Sequence, residues 1–185
     1  MTGKKGPALR PLMDPGEISS TVERMAWELK RDYADKDPIL VGILKGAAVF
    51  LSDLVRAAEL PFEVDFLQAS SYGAGTRPSG EVRIVRDVTA PVEGRHVVVV
   101  EDIMDGGHTA AAVAGHLRVK GAATVRLCVL LLRASRKPRR IEPDYVGTEI
   151  GEGFVVGYGM DLAERHRGLK GIYMVEEEGP EGRKN

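Results

Sequence analysis

Residues 97–109 (VVVVEDIMDGGHT) hold the densest set of groups able to do chemistry. Four valines run into Glu101 and Asp102, and Asp105, the pair Gly106 and Gly107, His108 and Thr109 follow within seven residues. A β-branched run of this kind reads as a strand buried on both faces. Ligands of open α/β sheets bind beyond the carboxyl ends of such strands, so the acids stand at the lip of the expected crevice. Past them, the glycines let backbone N–H groups approach an anion, a helix N-terminus adds partial positive charge, and Thr109 adds a hydroxyl. One phosphate suits that loop. Adjacent carboxylates repel phosphate but accept from sugar hydroxyls, so the segment as a whole calls for a phosphorylated ribose. A Gly pair alone is most often a turn, and two acids alone are most often solvated. Four β-branched residues, Glu-Asp and Gly-Gly-x-Thr in fixed order are far more specific than either alone.

Other reactive residues carry less. His108 has no second His or Cys at ligand spacing, which argues against a zinc site. The single cysteine, Cys128, sits inside the apolar run Leu127 to Leu132 and reads as a buried, inert thiol. The basic run Arg133 to Arg140 reads as a solvated loop, because 26 Lys and Arg against 27 Asp and Glu leave a net charge of −1 and no global field for nucleic acid. No apolar run approaches the ~20 residues of a membrane span, and the first residues (MTGKKGPALRPLM) lack the apolar segment of a signal peptide. A soluble, cytoplasmic protein is expected.

The elements that must position these groups are legible from periodicity. Asp14-Pro15-Gly16-Glu17 reads as a helix start, with Ile18, Val22, Met25 and Leu29 on one face and Asp37-Pro38 closing the segment. A buried strand is predicted over Ile39 to Leu44, a helix over 47–59 and a strand over Phe62 to Leu67. The Gly, Ser and Pro-rich stretch 70–80, followed by alternating Val82 and Ile84, suggests a two-stranded excursion or flexible flap. After Val97 to Val100 come a helix from Thr109 to Lys120, ended by Gly121, and a buried strand from Thr124 to Leu132. Strands alternating with helices argue for an α/β fold, a parallel twisted sheet flanked by helices. With 185 residues, 43% hydrophobic and 29% charged, one domain is expected.

Residues 97–109 resemble the phosphoribosyl-diphosphate-binding signature of type I phosphoribosyltransferases. The stretch from about Glu17 to Val175 is similar to the hypoxanthine-guanine phosphoribosyltransferase family through four further segments: Leu44-Lys45-Gly46, Ser71-Tyr72, Phe154-Val155-Val156-Gly157-Tyr158, and Asp161 followed by Arg167. The resemblance implies a single domain over 1–175, with a small hood from the N-terminal segment and about 140–170, a flexible flap, and a disordered tail over 176–185. It implies that Glu101 and Asp102 hold the ribose 2′- and 3′-hydroxyls, with Mg²⁺ bridging ribose and diphosphate oxygens and Asp161 approaching a second Mg²⁺. Asp105 becomes the candidate general base facing N7 of the purine, and Gly106, Gly107, His108 and Thr109 the 5′-phosphate loop. Lys45, Gly46 and Arg167 would meet the diphosphate, where the family often has a cis peptide. Phe154 would stack on the purine, Val155 offer backbone groups to its edge, and Ser71 and Tyr72 close over the site.

Two positions depart from the family pattern. Gly106 stands where relatives usually carry Thr, and Arg133 where most carry a Lys that contacts the 6-oxo group of the purine. The resemblance therefore implies purine salvage, in which hypoxanthine or guanine and phosphoribosyl diphosphate yield IMP or GMP. A xanthine-preferring enzyme, or a nucleotide-sensing regulator with the same fold, are the alternatives. The implied partners are these small molecules, with no nucleic acid and no membrane, in a homodimer or homotetramer.

Overall fold

In the computed structural model, which describes residues 7–71, 82–135 and 137–176, the first half of the chain comprises β1 (Leu9–Met13), α1 (Pro15–Tyr33), β2 (Ile39–Leu44), α2 (Ala47–Ala58) and β3 (Glu63–Ser71). The second comprises β4 (Val82–Arg86), β5 (His96–Met104), α3 (His108–Val119), β6 (Thr124–Arg133), β7 (Tyr145–Ile150), β8 (Phe154–Val156) and β9 (Ile172–Val175). Local chemistry explains the start of α1. The Asp14 side chain accepts from the N–H groups of Gly16 and Glu17, while Glu17 reaches back to the Asp14 N–H at 2.8 Å. A capping residue of this kind contributes about 1 kcal/mol. The expected face, Ile18, Val22, Met25 and Leu29, is buried.

Strands β4-β3-β2-β5-β6-β7 form one six-stranded sheet. All its pairings are parallel except β3 with β4, so the sheet is mixed rather than wholly parallel. The Val97 to Val100 run shows why such a strand must be apolar throughout. Val98 and Val100 pack in one layer with Met25 and Leu29 of α1 and Phe50 and Leu54 of α2. Val97 and Val99 pack in the other with Val113, Ala114 and Leu117 of α3. Each fully buried side chain of that size contributes ~1.5–3 kcal/mol.

A second, three-stranded antiparallel sheet has the order β1-β9-β8, joining the N-terminal segment to residues 154–175. The sequence reading placed about 140–170 in a hood, but Tyr145–Ile150 extends the large sheet by pairing parallel to β6, Cys128 opposite Tyr145. Tyr72, most of the expected flap and residues 177–185 of the expected tail lie outside the described residues. Among the described residues no helix is long and apolar enough to cross a membrane.

Candidate active site

The carboxyl ends of β2 and β5 lie side by side, since these strands pair in parallel. At the first end the chain turns through Lys45 and Gly46, and the Leu44–Lys45 peptide is cis. At the second end stands Asp102. A Cβ on Gly46 would overlap the Asp102 carboxylate, so only glycine lets these two ends approach so closely. The β8 strand and the loop after it close the third side.

Together they enclose a cavity of about 290 Å³. Lys45, Gly46, Asp102, Arg133, Phe154, Val155, Asp161 and Arg167 line it, joined by Ile103 and Met160. Phe154 is half exposed (51%), so this aromatic ring is not a core residue. Arg133 is held by its Nη1, which donates to the carbonyls of Gly151 at 3.0 Å and Gly153 at 2.6 Å. Its Nε lies 3.9 Å from the Asp105 carboxylate, which is itself exposed and sits beside the cavity rather than in its lining. A larger apolar groove of about 570 Å³ between α1, α2 and residues 168–170 shares Arg167 with this cavity but none of the β5 acids.

Burial sets the electrostatics of the β5 acids. Burial, and then the charge of Asp102, push the Glu101 carboxyl up to about 8. Burial pushes Asp102 up to about 6, against the lowering effects of its own N–H, the Ile103 N–H and the Arg167 charge. Glu101 Oε2 is buried with no hydrogen-bond partner. An orphaned acceptor of this kind costs about 1–3 kcal/mol and would be satisfied by a hydroxyl donor or a cation.

Beyond β5, Gly107 adopts a left-handed conformation (φ 71°) and caps α3. It offers no side chain to the first-turn N–H groups, which point out of the helix start. The Gly106 carbonyl accepts from the Arg140 N–H at 3.0 Å, fixing the loop from its other side. The His108 ring lies over Gly106, its Cδ2 only 3.2 Å from where a Cβ would stand.

The third side is an ion-pair web that sequence reasoning missed in part. Arg167 meets Asp161 at 2.9 Å and donates to the Gly159 carbonyl at 2.8 Å. Glu164, not singled out from sequence, contacts both Lys45 (2.9 Å) and Arg167 (3.2 Å). Hydrogen bonds from Lys45 and Arg167 hold its carboxyl below the usual carboxylate range. The spacing Asp161, Glu164, Arg167 was the available signal.

Of the expected residues, Glu101 and the loop Gly106, Gly107, His108 and Thr109 flank the cavity in sequence without lining it. Ser71 ends β3, and Tyr72 lies outside the described residues. Among the described residues no three His, Cys, Asp or Glu side chains converge as a metal cage.

Comparison with known proteins places the chain in a family. Residues 14–163 match the family model described as the phosphoribosyl transferase domain. The chain is 39% identical over 174 residues to a hypoxanthine-guanine phosphoribosyltransferase of Aquifex aeolicus, covering 94% of this chain and 98% of that one. It is 41% identical over 167 residues to the bifunctional protein TilS/HprT of Listeria monocytogenes serotype 4b (strain F2365), covering 90% of this chain but spanning only 26% of that protein's length. A crystal structure of a hypoxanthine phosphoribosyltransferase from Staphylococcus aureus superimposes with a TM-score of 0.86 at 34% identity, covering 95% of this chain and 94% of that one. The buried acids, the glycine-opened helix start and the aromatic-lipped cavity thus stand in a chain that belongs to the phosphoribosyltransferase family, in its hypoxanthine-guanine branch.

Proposed function

We propose that this protein joins hypoxanthine or guanine to 5-phosphoribosyl 1-diphosphate, giving IMP or GMP and diphosphate. The observation that carries this reading is the cavity at the ends of β2 and β5, which combines an exposed aromatic lip, Phe154, with a buried acid, Asp102, and two cations, Lys45 and Arg167. An aromatic face suits a purine, acids suit ribose hydroxyls and cations suit diphosphate.

Each residue then has a task. The phosphate of the ribose sits on the N–H groups of residues 106–109, at the positive end of α3. Glu101 and Asp102 accept from the 2′- and 3′-hydroxyls, which supplies the missing partner of Glu101 Oε2. Phe154 stacks on the purine, and Val155 backbone groups meet its edge. Displacement at C1 of the ribose builds positive charge on the sugar and negative charge on the leaving diphosphate, which Lys45 and Arg167 stabilise. Asp105 takes the proton from purine N7 as the base attacks. Arg133, fixed by two carbonyls, faces the base with its remaining donors.

Mg²⁺ fits this donor set. It keeps several waters and binds through one or two carboxylates plus substrate phosphates, so a pre-built cage is not required. Asp102 and the unpartnered Glu101 are the residues that would hold one ion and Asp161 the residue that would approach a second, and the metal would add positive charge at the leaving group. The reading includes assembly into dimers or tetramers, for which the apolar groove beside α1 and α2 offers a surface. Chromatography of the reaction of phosphoribosyl diphosphate, Mg²⁺ and hypoxanthine or guanine tests the activity. IMP or GMP is expected, and the absence of any nucleotide product overturns it.

A further inference from the structure

Glu164 stands where the two diphosphate-binding cations meet. Residues 162–165 form a tight turn in which the Leu162 and Arg165 backbones exchange hydrogen bonds of 3.1 Å. Both central residues have positive φ, 50° at Ala163 and 64° at Glu164, followed by 74° at His166. Such turns favour Asn and Gly, whereas this one spends two L side chains, one of them charged, on left-handed backbone. Strained backbone of this kind clusters at ligand clamps and switches. What it presents here is a carboxylate whose Oε2 reaches Lys45 Nζ at 2.9 Å and Arg167 Nη2 at 3.2 Å at once.

Those are the charges that one end of a diphosphate requires, brought onto a single carboxylate oxygen. An anion of the protein's own therefore occupies the cation pair while substrate is away. We propose that Glu164 is an internal counter-anion of the diphosphate site, which the diphosphate group must displace from Lys45 and Arg167 when it binds. This rests on the reading of those two cations given above. The contact is built to yield, because Lys45 and Glu164 are both more than half exposed and exposed ion pairs are weak and salt-screened. Its effect is to keep two like charges apart from adventitious anions and to raise the rate at which product diphosphate is released.

The test is calorimetric titration of the full chain with diphosphate in the presence of Mg²⁺, at low and high salt, with phosphoribosyl diphosphate in parallel. Glu164→Gln removes the competing charge and is expected to tighten diphosphate binding by about two- to tenfold at low salt, the range that an exposed pair with Lys45 and a partly exposed one with Arg167 support. The gain should shrink at high salt. Glu164→Asp keeps the charge but shortens the reach, so it should also tighten binding, by less. Tightening in Glu164→Gln with none in Glu164→Asp reduces the effect to net charge and overturns the displaced counter-anion. Weaker binding in Glu164→Gln shows that the carboxylate assists the ligand, and also overturns it. Wild-type binding with unaltered variants defeats the counter-anion role alone, whereas wild-type protein that binds neither ligand defeats the functional reading with it.

Discussion

Replacing Gly106 by Thr should strengthen binding of every ligand that carries the 5′-phosphate. Gly106 is not in the left-handed region, and a Cβ there would meet only the His108 ring, at 3.2 Å from Cδ2 and 3.5 Å from Nε2. That ring is exposed and can swing aside. The added hydroxyl would donate to a charged phosphate, a bond of roughly 1.5–3 kcal/mol, from which ordering the side chain and moving His108 subtract about 1 kcal/mol. A net gain of about tenfold in affinity follows. Neighbouring Gly107 provides the contrast. Its φ of +71° and the Ile141 carbonyl 3.2 Å from a Cβ mean that Gly107→Ala should weaken the same ligands. Calorimetric titration with IMP, GMP and ribose 5-phosphate reads both variants. Equal tightening of all three by Gly106→Thr is expected. Tightening confined to one base, or unchanged ribose 5-phosphate affinity, would refute the placement of the phosphate on this loop.

Asp105→Asn should lower turnover by about 10²–10³-fold while IMP affinity holds, because the proton acceptor goes and the shape stays; an unchanged rate in stopped assays removes the general-base role. Arg133→Lys should alter the ratio of hypoxanthine to guanine use, since a point charge replaces a planar fork. A uniform loss across bases would mean that Arg133 acts only by holding the Gly151 and Gly153 carbonyls. Asp65 is buried, which raises its pKa, but the N–H groups of Ala90, Phe66 and Thr89 and the Thr89 hydroxyl outweigh burial and leave it lowered. Its contribution is therefore present above the unfolded-state value near ~3.9 and lost as pH falls through the lower folded value. Asp65→Ala should cost about 3 kcal/mol near neutrality and roughly 6–12 °C in Tm, with the gap to wild type closing in strong acid. A gap independent of pH would mean that the charge is not what matters.

The sequence was most informative where one residue does one job. Asp14 and Glu17 announced the start of α1 because a capping box is a local contact three residues wide. The Val97 to Val100 run announced a strand covered on both faces, and the packing of alternate valines against different helices is what that composition means. The short strands β1 and β9 were not legible, since each exists only through the other and they pair across more than 150 residues, Leu9 opposite Val175. Strand β7 carries the strand-favouring Tyr145, Val146, Thr148 and Ile150, but Gly147 interrupts so short a run, and its place at the edge of the large sheet comes from pairing with β6. Glu164 was invisible for the same reason. Its partner Lys45 lies 119 residues away, and the spacing to Asp161 and Arg167 alone does not separate it from a solvated acid.

The central claim is that the cavity at the ends of β2 and β5 takes a 6-oxopurine and transfers a phosphoribosyl group to it. Competition of hypoxanthine, guanine, xanthine and adenine for a fixed, limiting amount of phosphoribosyl diphosphate, with each nucleotide product quantified, tests it most directly. On the proposed reading Arg133, which lines the cavity, would present donors to the base, which matches a 6-oxo group and not a 6-amino group. IMP and GMP should dominate the products, with AMP the least. AMP as the main product, or consumption of phosphoribosyl diphosphate without any nucleotide, would contradict the account.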